Sequence, residues 1–159
     1  MSTSDDPATP RCIGCPVLDI SIFSSCPVEL LEAIVAVKEV RELRKDATLF
    51  EEGAPVDGLC CQYSGRFALL RSSGADEHVV AVSRPGHGLG ARDLLQGGHH
   101  EQTAVALEDS RVCFVPARIV RSLVRDYPPI IVRVMEGVCQ NLSEIERQIE
   151  RHEHQSGRN

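Results

Sequence analysis

The sequence predicts a mainly β chain with flanking helices: an antiparallel sandwich or jelly roll followed by a long C-terminal helix. Three observations carry that prediction. Residues 40–116 alternate short apolar runs with turn residues at close spacing, the pattern of an antiparallel all-β domain without βαβ units. Helical periodicity brackets this region on both sides. Beyond Pro128 and Pro129, the apolar residues Ile131, Met135, Val138, Leu142, Ile145 and Ile149 recur at steps of four, three, four, three and four, which is a coiled-coil seam.

Taken in order, residues 1–10 are polar and read as a disordered lead, 11–127 as the main domain, 128–152 as the long helix and 153–159 as a tail. "SSCPVELLEAIVAV" predicts a helix over 27–36. Ser25 or Cys26 stands at its cap, Pro27 suits the first helical position, and Leu30, Leu31, Ile34 and Val35 share one face. The strand series follows: "ATLFEEG", "GLCCQYSGRFALLRSSG", "EHVVAVSRPG", "EQTAVALEDS" and "RVCFVP". Within the second run, Ser64-Gly65 reads as a two-residue hairpin. "ARIVRSLVRDYP" places Ile119, Val120, Leu123 and Val124 on one helix face and Arg118, Arg121 and Arg125 on the solvated one. A single helix cannot bury the seam after Pro129, so a partner helix is expected and the chain should form a homodimer, the alternative being that the helix packs on its own domain.

Composition excludes several classes. A net charge of −6 argues against a chain that binds nucleic acid over its surface, because phosphate neutralisation needs a basic face. No run approaches the roughly 18 apolar residues of a membrane span. The start, MSTSDDPATPR, is polar and acidic and lacks a secretory signal, so a cytoplasmic chain is expected. Seven cysteines are many for a compartment that keeps thiols reduced, which favours metal binding or buried thiols over disulfides. No Ser/His/Asp or paired-carboxylate constellation stands out, so an enzyme is not expected.

The order of parts resembles the sensor domain of the CRP/FNR superfamily, a cyclic-nucleotide-binding-like β-roll with a long dimerisation helix. Local residues carry the resemblance further, in "KDATLFEEGAPVDGLCCQYSGRFALLRSSGADEHVVAV" and in "PGHGLGARDLLQGGHHEQTAVALEDSRVCFVP". The resemblance implies a helix-turn-helix domain after the long helix. This sequence stops about where that domain would begin, so no direct DNA binding by the chain is expected. Many relatives hold cyclic AMP or GMP with a Glu after glycine and an Arg before Ser/Thr-Ala. Here those positions read Ala91 and Gln102, although Gly86, Gly88, Gly90, Thr103 and Ala104 are kept. Arg92 stands on the wrong side of the motif. A buried phosphate needs a paired cationic donor, so no cyclic nucleotide is expected.

The branch named for fumarate and nitrate reduction, FNR, instead holds an oxygen-labile [4Fe–4S] cluster on four cysteines. The resemblance assigns Cys12 and Cys15 in "RCIGC" to its N-terminal pair and Cys113 to its distant ligand. Cys26 is the available third ligand, further from the pair than the family places it. Asp19 or an outside ligand could complete a three-cysteine site instead. Zinc on the same thiols is the competing metal reading. Read from residues alone, Cys113 is a buried strand thiol, Cys60 and Cys61 are packing residues, and Cys139 packs near the dimer interface. His99 and His100 fall in a glycine-flanked stretch that reads as an exposed turn. Two functions therefore stand: a redox or gas sensor (oxygen or nitric oxide), or a cofactor-free module that pairs with itself or with a full-length relative.

Overall fold

A computed structural model of the chain describes residues 15–157; the lead at 1–10 and Cys12 lie outside the described residues. After a short 3₁₀ turn at Leu18–Ile20 come α1 (Val28–Val37), β1 (Glu39–Leu43), β2 (Thr48–Phe50), β3 (Gly58–Ser64), β4 (Phe67–Ser73), β5 (Asp76–Ser83) and β6 (Gly88–Leu89). The chain continues through α2 (Ala91–Gln96), β7 (Thr103–Ala106), β8 (Ser110–Pro116), α3 (Ala117–Asp126) and α4 (Pro129–Ser156). The strands form two four-stranded sheets in the orders β1-β8-β3-β6 and β2-β7-β4-β5, with every named pairing antiparallel. This is the predicted mainly β fold with flanking helices, a β-roll followed by a 28-residue helix.

Two apolar clusters divide the interior. Between the sheets lie Cys60, Phe67, Leu69, Leu89, Ala104, Ala106 and Val112. On the outer face of the first sheet, under the helices, lie Leu59, Cys61, Cys113 and Val115 with Leu31 and Ile34 of α1, Val120 and Leu123 of α3, and Ile130 and Val134 of α4. β3 and β8 are therefore covered on both faces. Successive side chains of a strand point to opposite sides, so Leu59 and Cys61 go to the helices while Cys60 goes into the sandwich.

The Ser64-Gly65 expectation is corrected. β3 and β4 lie in different sheets, so this turn is a corner between sheets and not a hairpin. Gly65 adopts φ +85°, and a Cβ there would overlap the Ser110 side chain, so glycine is required on two counts. The corner is tied down by the fully buried Gln62, whose Nε2 donates to the Gly65 carbonyl at 2.7 Å. The hairpin is instead β4–β5, closed by Gly74-Ala75 with Ser73 opposite Asp76. α1 begins at Val28 with Pro27 as its cap, one residue later than the sequence pattern suggests. α4 has Pro at its first position and continues past residue 152 to Ser156.

Gln62 also accepts a 2.6 Å hydrogen bond from the buried Ser83 hydroxyl. Gln62→Leu leaves that hydroxyl and the Gly65 carbonyl without their partner. The expected loss is about 1–3 kcal/mol in urea unfolding, with part of it returned by adding Ser83→Ala.

Candidate functional site

Residues 15–26 cross the outer face of the first sheet as a series of turns. The Leu18 amide donates to the Cys15 carbonyl, the Ser24 amide to the Ser21 carbonyl, and the Cys26 amide to the Phe23 carbonyl, at 3.0–3.2 Å. Ser21 Oγ donates to the Leu18 carbonyl at 2.9 Å and accepts from the Phe23 amide at 3.2 Å. Buried Val17 and Phe23 anchor the segment. Beneath it is a void of about 30 Å³ whose lining includes Cys15, Cys61 and Cys113 together with Lys38 and Tyr63. A void of that size holds roughly one water molecule.

The predicted cysteines separate here. Cys15 and Cys113 share the void, although one lies on the N-terminal segment and the other on β8. Cys26 is buried in the same apolar cluster but is not among the void's lining residues. It precedes the Pro27 cap of α1, so its expected place at the cap is corrected by one position. Cys61, read from the sequence as a packing residue, stands directly opposite Cys113 in the β3–β8 register. Only the strand's alternation could have separated it from Cys60. Burial in the sandwich pushes the Cys60 thiol up to about 12, with Arg41 pulling it back and Cys113 adding to the rise. At such a value Cys60 is inert as a nucleophile or ligand. Among the described residues, no three His, Cys, Asp or Glu side chains converge tightly enough to hold a single metal ion.

A second void of about 310 Å³ lies between the β2-β7-β4-β5 sheet, the Gly86–Arg92 stretch and α4. Ala91 and Gln102 both line it, as do Phe50, Leu69 and Val134. Its cations are already paired. Arg92 binds Asp93 at 3.4 Å and Glu101 at 3.2 Å, and Glu101 also binds Arg71 at 3.0 Å. Arg133 binds Glu136 at 3.0 Å. The exposed-turn reading of His100 is corrected. Its ring is buried, stacks on Phe50 at 3.8 Å and pairs with buried Asp93 at 3.3 Å.

Along α4, Ile130 and Val134 are buried in the helical cluster. The seam lies largely outside it: Met135, Val138, Leu142 and Ile149 are exposed, and Ile131 and Ile145 are half-buried. At the start of this helix the Tyr127 hydroxyl donates to the Ser25 carbonyl, joining the cysteine segment to the α3–α4 junction. No helix among the described residues is long and apolar enough to cross a membrane.

A family model described as the cyclic nucleotide-binding domain matches residues 40–127. The chain is similar to neuropathy target esterase sws of Drosophila willistoni, with 26% identity over 160 residues, 85% of this chain and 11% of that protein. It is similar to the anaerobic regulatory protein of Pasteurella multocida, with 27% identity over 140 residues, 85% of this chain and 51% of that protein. It thus spans about half or less of these relatives' length. In three dimensions it superposes on the sensor domain of the transcriptional regulator DNR from Pseudomonas aeruginosa with a TM-score of 0.67 at 17% identity, covering 79% of this chain and 91% of that one.

His87, on the wall of the larger void, has a titration consequence. Burial, reinforced by Arg84 and opposed by Glu144, holds its pKa below the ordinary 6.5. The unfolded chain then takes up this proton at higher pH than the folded chain, so the contribution is intact above about pH 6.5 and is lost as the pH falls through the folded value. In His87→Gln the thermal midpoint should fall less steeply than in the parent between about pH 7 and 5. Equal slopes would show that His87 does not contribute.

Proposed function

The chain belongs to the cyclic nucleotide-binding domain family and is CRP/FNR-like in layout, and from that premise we propose that it is the sensor module of a CRP/FNR-type transcription regulator, reading oxygen or nitric oxide through an iron–sulfur cluster and not through a cyclic nucleotide. In this reading it is regulatory and not catalytic, cytoplasmic, and paired with a second chain through α4. The observation that carries the reading is the meeting of Cys15 with Cys113 in one apolar void on the outer face of the first sheet.

The residues fit such a group in kind. Soft thiolates are the donors an iron–sulfur cluster takes, and Val17, Phe23, Ile34 and Val115 around them exclude water. The ligand set that the resemblance implies is Cys12, Cys15, Cys26 and Cys113. The void is only water-sized, so the segment bearing Cys15 has to stand further from the sheet when the group is bound. When bound, the cluster supplies a thiolate-held centre that is sensitive to oxygen or nitric oxide. The chain does the rest. Cys15 and Cys113 fasten the segment to β8, and Tyr127 passes the segment's position to the start of α4. Ile130 and Val134 share the apolar cluster of Cys61 and Cys113, so a change in how the segment seats alters the bed on which α4 lies.

The larger void has the volume of a ligand site, which typically starts near 300 Å³. Its chemistry argues against a cyclic phosphate, since Ala91 and Gln102 replace the ribose and phosphate partners and Arg92 is held by two carboxylates. For pairing, the exposed apolar row on α4 is the support. Each such side chain gains roughly 1.5–3 kcal/mol on full burial, so several together can hold a helix pair.

Protein isolated without oxygen should be brown, with a broad visible band bleached by air, and should contain iron and acid-labile sulfide. Cys113→Ala should abolish all three. A colourless protein that resists reconstitution with iron and sulfide contradicts the sensor reading and leaves the cofactor-free pairing module. Independently, Leu142→Asp combined with Ile145→Asp should halve the mass measured by light scattering while the far-UV spectrum is kept. A dimer that survives both changes excludes the seam.

A further inference from the structure

We propose that Glu101 sets the charge selectivity of the larger void. Its carboxylate fills, from within the chain, an anion position formed by Arg92 and Arg71, and so turns anionic ligands away. This rests on the reading that the void takes no cyclic phosphate and is independent of the cluster, since no cysteine takes part. In the sequence Arg92 follows Ala91, at the far end of the cassette from Gln102. In the fold the chain leaves α2 and returns through Gly97 and Gly98, which brings Glu101 within 3.2 Å of the Arg92 guanidinium. Arg92 is thus drawn to the neighbour of Gln102, and Arg92 and Gln102 both line the void. A cation stands beside the position where the resemblance implies one and the sequence has Gln102 instead.

The contact has the form of an anion site. Glu101 Oε2 accepts from Arg71 on β4 at 3.0 Å and from Arg92 on α2 at 3.2 Å, so one oxygen bridges two guanidinium groups from separate elements. An oxygen of a phosphate ester can take the same place, because the guanidinium fork matches carboxylates and phosphates alike. With the carboxylate removed, two like charges remain close together, and an anion from solution relieves their repulsion.

Of the two carboxylates that hold Arg92, Glu101 is the one that can be removed. Asp93 is buried, pairs with His100 at 3.3 Å and accepts from the Glu101 amide at 3.4 Å, so it belongs to the framework. The Glu101 carboxylate bonds only the two arginines among the described residues. It is half-exposed, and ion pairs at that exposure add little to stability, so its loss should leave the chain folded. The backbone at Glu101 stays in place, because its amide is held by Asp93 and the adjacent His100 ring stacks on Phe50.

The test is a ligand-observed proton NMR titration of the full chain at low ionic strength, with cyclic AMP as the anionic probe and adenosine as the uncharged one. The parent should bind cyclic AMP no more tightly than about 1 mM, and Glu101→Gln about tenfold more tightly or better, with adenosine unchanged. Adding Arg92→Gln to Glu101→Gln should abolish the gain, and salt at about 0.5 M should weaken it. Far-UV circular dichroism and the thermal midpoint identify folded protein, and Glu101→Ala serves as a second variant because it leaves no amide in place of the carboxylate. Folded Glu101→Gln and Glu101→Ala without a gain overturn the proposal and leave the reading of the void intact. A gain that adenosine shares, or that survives Arg92→Gln, also overturns it, because charge at Arg92 is then not the cause. Tight binding of cyclic AMP by the parent overturns the proposal and the reading of the void together.

Discussion

The pairing of β3 with β8 is the constraint on which the remaining architecture depends. These strands are the middle pair of the first sheet, and both of their faces are covered. One face closes the sandwich with Cys60 and Val112, and the other offers Leu59, Cys61, Cys113 and Val115 to the helices. Because side chains alternate strictly, a one-residue slip of β3 against β8 would turn β3 over. It would place Cys60 under the helices and Cys61 in the sandwich, and part Cys61 from Cys113. The register thus decides which thiols face the N-terminal segment. Gly58 helps to hold it: a Cβ there would press on the Val115 carbonyl and the Phe114 ring, so the two backbones approach only because no side chain intervenes.

The same outer face is where the helices meet. α1, α3 and the first turns of α4 all bury side chains in the cluster that includes the two strand thiols. Tyr127 adds a polar tie between the cysteine segment and the α3–α4 junction. A close-packed interior transmits displacement poorly through voids and well through contacts. The segment over Cys113 and the helix that presents the apolar row are therefore mechanically adjacent, although much of the row is exposed. The larger void sits on another wall of the roll and meets α4 further along, at Val138, Leu142 and Ile145. Its paired charges add little stability at their exposure, on the order of 0–1 kcal/mol each. Their consequence is local: Arg92 is engaged by carboxylates on its own side of the pocket.

Much of this order can be read from the sequence, because periodicity reports on local faces. The strand series and the apolar face of α3 are local patterns that appear in the structure, and the four-three spacing falls on one helix, α4, with most of its row exposed. The misreadings arise where a distant partner decides the outcome. Ser64-Gly65 has the composition of a tight turn, but the pairing partners of β3 and β4 put it at a corner between sheets. His100 lies among glycines and looks exposed, yet Asp93 and Phe50 enclose it from elsewhere in the chain. Cys60 and Cys61 are hard to separate because β3 is buried on both faces and has no solvent-exposed side at these positions to set the phase of its alternation. Cys113 could be singled out through family resemblance, whereas its neighbour across the ladder emerges only from the register.

The central claim is that the outer face of the β3–β8 pair, covered by the Cys15 segment, is a thiolate site for an iron–sulfur cluster. Native mass spectrometry of the full chain, isolated and sprayed without oxygen, addresses it most directly. The account predicts that each chain carries the added mass of four irons and four sulfides, and that this mass disappears on exposure to air or nitric oxide. A chain of bare polypeptide mass, even after anaerobic incubation with iron and sulfide, would contradict it.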